Sequence, residues 1–75
     1  MSMDSVRMIG VNSSTIRAIG YVEEDAALYA TFRNGRLCRY TSVPRGVYER
    51  FKAAASKGRF LWVHIRDKYN YERLA

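Results

Sequence analysis

The dipeptide Asn34-Gly35 constrains this chain more than any other feature. Both residues tolerate positive φ, so the pair between two alternating runs is the strongest short-range signal of a β-hairpin. On its N-terminal side Ala27, Tyr29 and Thr31 alternate with Leu28, Ala30 and Phe32; on its C-terminal side Leu37, Arg39 and Thr41 alternate with Cys38 and Tyr40. Period-two alternation of this kind reads as strand. Upstream, Ser14, Ile16, Ala18 and Gly20 alternate with Thr15, Arg17, Ile19 and Tyr21, and Glu23-Glu24-Asp25 supplies a solvated turn. The first half is expected to be a β-meander.

The period then changes. Pro44 sits where the first turn of a helix accepts proline. Val47, Tyr48, Phe51, Ala54 and Ala55 make one apolar stripe, with Arg45, Glu49, Lys52 and Ser56 opposite. Gly58 is expected to end this helix in the left-handed conformation. A helix laid over one face of a meander is the α+β solution to burying both apolar faces. Residues 59–66 (RFLWVHIR) fit two patterns. As a strand they align Leu61, Val63 and Ile65; as a helix they pair Phe60 with His64 and Leu61 with Ile65. Their composition leans toward strand. Residues 69–73 alternate and are expected to rejoin the sheet.

With 75 residues, the chain holds one domain. A substrate cavity of several hundred cubic ångströms would compete with the core for the same apolar side chains. The catalytic inventory is thin. His64 is the one histidine and Cys38 the one cysteine, so neither an internal disulfide nor a Cys/His zinc site can form within the chain. Ser13-Ser14 lacks a nucleophile-elbow setting, and the glycines form no phosphate-cradling loop. No enzyme activity, cofactor, metal or small-molecule substrate is expected. There is no apolar run of membrane-spanning length and no signal-peptide core in MSMDSVRMIG, so the expected location is the cytoplasm.

Charge points to binding instead. Residues 1–32 carry two cations against four carboxylates, whereas residues 33–75 carry eleven against three; ten of the thirteen cations are arginine. Arginine suits planar, bidentate contacts with phosphate or carboxylate, so an anionic or acidic-faced partner is expected. Aromatic residues interleave with these cations, and aromatics beside arginines can stack bases while the arginines hold phosphates. Trp62 between Arg59 and Arg66 has the makings of a protein-interface anchor.

The segments NSSTIRAIGY, FRNG, RYTSVPRGVYERF, SKGRF and HIRDKYNYERL together resemble the KTSC domain. This short family occurs at the C-terminus of some lysyl-tRNA synthetases and as stand-alone bacterial and phage proteins. The resemblance runs from Val11 to Leu74 and rests on Ser13-Ser14, Ile19-Gly20-Tyr21, Val43-Pro44, Val47-Tyr48 and Ile65-Arg66-Asp67. It implies an α+β fold: an antiparallel β-meander plus a C-terminal strand, packed against one longer and one short helix between the third and last strands. Residues 59–66 then become helical. Residues 11–75 would be the domain and residues 1–10 an N-terminal, partner-binding segment.

Phage members similar to this chain in length and architecture bind host RNA polymerase, interfere with sigma-dependent initiation and promote antitermination. The resemblance thus implies a small transcription regulator docking on polymerase. Val6, Arg7, Met8, Ile9 and Val11 are the first candidate contacts, because a strand-forming end can add to a partner's sheet or groove; their other reading is an edge strand of this domain. Arg17 and Trp62 support them. The alternative function is RNA or DNA binding through Arg33, Arg36, Arg39, Arg59, Arg66 and Lys68. Two residues depart from the family pattern: Cys38-Arg39-Tyr40 replaces a Tyr-x-Tyr, and Trp62 stands where many relatives carry a smaller polar residue.

Overall fold

The computed structural model describes residues 6–75. Five antiparallel strands lie in chain order: β1 (Ile9–Gly10), β2 (Ile16–Val22), β3 (Ala27–Phe32), β4 (Leu37–Tyr40) and β5 (Tyr71–Arg73). Between β4 and β5 come α1 (Arg45–Ala53) and α2 (Lys57–Phe60), the latter running on as a π-helical turn over Leu61–Ile65. The fold is the expected α+β: a meander and a C-terminal strand under one longer and one short helix.

The hairpin forms as its turn residues dictate. Gly35 adopts φ +92°, and the Asn34 side-chain oxygen accepts from the Arg36 N–H at 3.0 Å. Alternation in β3 and β4 then sorts the side chains. Leu28, Ala30, Cys38 and Tyr40 face the helices and join the main core; Ala27 and Tyr29 face the other way, with Val22, in a second cluster.

Strand β2 departs from strict alternation. Its register against β3 shifts between Ile16 and Ala18, so one extra residue is taken up at Arg17. Ile16 and Ile19, expected on opposite faces, therefore both enter the main core and are fully buried. Gly20 lies on the second face. There Val6 and Met8 pack across it: a Cβ at Gly20 would stand 2.7 Å from Met8 Sδ and 2.9 Å from the Arg7 carbonyl oxygen. The missing side chain makes room for the N-terminal segment to cross the sheet.

The helical half corrects two expectations. Helix α1 stops at Ala53, because Ala54 turns to an extended conformation (φ −67°, ψ 137°), and Ala55 lies outside the stripe, exposed. A new start follows at Ser56, whose Oγ accepts from the Arg59 N–H at 3.3 Å. Gly58 thus sits inside α2 with no positive φ. A Cβ there would make ordinary contact with Thr15, 3.4 Å from its Oγ1. The strand leaning of residues 59–66 is also overturned. Leu61 and Ile65, four apart, are both buried while Val63 is exposed, and the Arg66 N–H bonds the Leu61 carbonyl across five residues at 2.8 Å. Helical spacing meets the core here; β-branched composition did not decide it.

Phe51, fully buried, stacks on Phe60 at 5.5 Å, and Tyr48 stacks on Tyr21 at 5.1 Å. The Tyr21 hydroxyl donates to the Val43 carbonyl at 2.6 Å, tying the loop before α1 to β2.

Candidate functional site

Antiparallel topology places alternate turns at opposite ends of the sheet, and charge segregates with them. At the β2–β3 end lie Glu23, Glu24 and Asp25, with Arg45 bridging Glu23 at 3.0 Å and Glu49 at 3.5 Å. The other end gathers the β1–β2 loop, the Asn34-Gly35 turn, the start of α2 and the end of β5. Of the cations in the sequence's second half, Arg33, Arg36, Lys57, Arg59, Arg66 and Arg73 border that end.

Two hollows open there. The first, about 270 Å³, lies between the helix-facing side of the sheet and the π-helical turn; Ile16, Cys38, Tyr40 and Leu61 contribute apolar floor, and Arg36, Arg66 and Arg73 line it with Trp62 and Tyr71. The second, about 480 Å³, lies between the β1–β2 loop and α2, lined by Ser13, Ser14, Lys57 and Arg59, again with Trp62. Among the described residues no carboxylate lines either hollow. Trp62 borders both, 63% exposed, with the Arg66 guanidinium 4.0 Å from its ring centroid. That cation–π contact props the indole at the boundary of the two hollows.

The fields of these arginines reach the floor. Burial pushes the Cys38 thiol up, and Arg36 and Arg73 partly offset it. Burial likewise pushes the Tyr40 phenol up to about 12, reinforced by Cys38 and Tyr71 and opposed by Arg66. Cys38 is therefore held as thiol, the opposite of an activated nucleophile. His64 packs against Phe60 in a tilted arrangement, ring centroids 4.6 Å apart, and lines a separate hollow with Val63 and Arg59. Among the described residues no group of three or more His, Cys, Asp or Glu could hold a metal ion, and no helix is long and apolar enough to cross a membrane.

The candidate contacts named from sequence divide as follows. Val6 and Met8 are half-buried on the second face, and Val11 packs against the main core. Arg7, Ile9 and Arg17 remain exposed around β1, which forms the sheet's edge beside β2. Ile9 pairs with the buried Ile19 yet is 46% exposed. Trp62 sits apart from this group, beside the β1–β2 loop. Of the cationic set, Arg36 and Arg66 meet in the first hollow and Arg59 lines the second. Arg33 donates through Nε to the Ser13 carbonyl at 2.6 Å. Arg39 points to the other face, where it pairs with Glu72. Lys68 is exposed beyond the π-helical turn and lines neither hollow.

Sequence reasoning missed Arg73 and Lys57. The alternation of residues 69–73 was visible, but their facing depends on register: Tyr71 pairs with Tyr40 and Arg73 with Cys38, which turns both toward the helices.

Comparison with known proteins fits this architecture. The KTSC domain family model matches residues 12–69. An uncharacterized protein of Stutzerimonas stutzeri (strain A1501) is 34% identical over 70 residues, covering 92% of this chain and 99% of that protein. The crystal structure of a KTSC domain protein from Yersinia pestis superposes with a TM-score of 0.89 at 32% identity, over 95% of this chain and 100% of the other.

Proposed function

This chain belongs to the KTSC domain family, and from that membership we propose that it is a non-enzymatic, phage-encoded transcription regulator that docks on host RNA polymerase in the bacterial cytoplasm. The observation that carries the reading is the β1 edge: an exposed Ile9 on a terminal strand, flanked by exposed Arg7 and Arg17. An edge strand with an uncovered aliphatic side chain is suited to extend a partner's sheet or fill its groove, and the arginines favour an acidic rim around that contact. Occupying such a surface would bias which conformations sigma and the core enzyme adopt, inhibiting sigma-dependent initiation or prolonging elongation through terminators.

The test is direct. Purified protein mixed with bacterial RNA polymerase core and holoenzyme at physiological salt should comigrate with at least one of them in gel filtration. Ile9→Asp should weaken that association by about 2 kcal/mol, the scale of an interface hot spot. Ile9 is half-exposed, so the substitution leaves the main core intact. Failure to comigrate with either polymerase form would sink the reading.

A further inference from the structure

The β1 edge leaves the opposite features of the basic end unexplained. Three arginines converge on an apolar-floored hollow, two further cations line its neighbour, and the boundary between them is an exposed tryptophan. Arg73 donates through Nε to the Ala75 main-chain oxygen at 3.2 Å and Lys57 through Nζ to the Ala54 carbonyl at 2.5 Å, but among the described residues no side-chain carboxylate lines either hollow, an arrangement that favours bound anions. The cations at the acidic end behave differently, since Arg45 and Lys52 are paired with glutamates. Tyr71, 58% exposed with its ring 5.6 Å from that of Tyr40, adds a second exposed ring to the first hollow.

We propose that the two hollows flanking Trp62 form one continuous track for single-stranded nucleic acid. Arg36, Arg66 and Arg73 hold phosphates on one side of the indole, Lys57 and Arg59 hold them on the other, and a base stacks against Trp62 between them. Charge complementarity selects a polyanion, and exposed rings at the centre select one with stackable bases. A duplex buries its base faces in its own stack and cannot use the tryptophan, so the track takes a single strand. Recognition is sequence-tolerant, because every base presents a π-face. This inference does not rest on the polymerase reading: the track is separate from Ile9, and its test contains no polymerase.

The test uses a fluorescein-labelled oligouridylate, titrated with purified protein by anisotropy at two salt concentrations. Trp62 is the one tryptophan, so its intrinsic emission reports stacking in the same titration. Binding should quench that emission. Trp62→Ala should weaken affinity at least about fivefold, and Trp62→Phe should restore most of it. Arg66→Gln and Arg73→Gln should each reduce the salt slope by roughly 0.7. Arg45→Gln, at the acidic end, should leave affinity and slope unchanged. Absence of oligouridylate binding at low salt would overturn the proposal. So would unquenched Trp62 emission at saturation, equal affinity for a duplex of the same length, or equal competition by inorganic polyphosphate. All the substituted side chains are exposed, and urea denaturation of each variant confirms that the domain remains folded.

Discussion

At the scale of single residues, Tyr40 couples the core to pH. Its side chain lies under the first hollow, and burial holds the phenol neutral up to about pH 12. In the unfolded chain a tyrosine titrates near 10. As pH rises through that window the unfolded state loses its proton first, so stability falls with pH and the contribution is gone above the folded value. Tyr21 and Tyr48 are pushed up by burial as well and act in the same direction. Tyr40's share is a loss of at most about 2–3 kcal/mol above pH 10. Urea midpoints measured across that range should decline, and Tyr40→Phe should flatten the decline in part. An unchanged slope in that variant would contradict the assignment to Tyr40.

At the scale of elements, Gly20 links two parts of the chain that alternation alone does not connect. The N-terminal segment crosses the sheet over it, and a Cβ there meets the Arg7 backbone, which cannot move aside as a side chain would. Gly20→Ala should cost about 1–3 kcal/mol as overpacking. It should also speed tryptic cleavage after Arg7, while oligonucleotide affinity stays as it was. Cleavage at the wild-type rate would mean that Gly20 does not govern this crossing.

The same elements show what sequence could and could not reveal. Strands β3 and β4 were legible because Asn34-Gly35 sets their turn and alternation sets their faces. The bulge at Arg17 was not, since a strict period of two carries no mark of an extra residue. The break between α1 and α2 was equally hidden. The apolar stripe runs on through Ala54 and Ala55, and alanine favours continuation, whereas tertiary packing of Leu61 and Ile65 requires a new direction. Of the candidate site, Arg36, Arg59, Arg66 and Trp62 could be named from composition. Arg73 needed the β4–β5 register, a contact across some thirty residues.

At the scale of the molecule, a main core under one sheet face supports everything else. Phe51 is fully buried and stacks on Phe60, so it joins both helices to that core. A chain of this length has a stability of roughly 4–11 kcal/mol, and Phe51→Ala should remove about 3–5 kcal/mol of it. Chemical denaturation should show a large drop in midpoint, with both proposed binding activities falling in parallel as the folded fraction falls. A small drop would mean that the helices are held chiefly by other contacts.

The strand order of the sheet equals the order of the chain. Neighbours in space are therefore neighbours in time as the polypeptide leaves the ribosome. The β2–β3–β4 meander can close before the helices exist, but β4 must then wait, one edge bare, until α1, α2 and finally β5 have been made. Arg36 and Arg39 stand along that waiting edge. Charges on an exposed strand edge discourage nascent chains from pairing edge to edge.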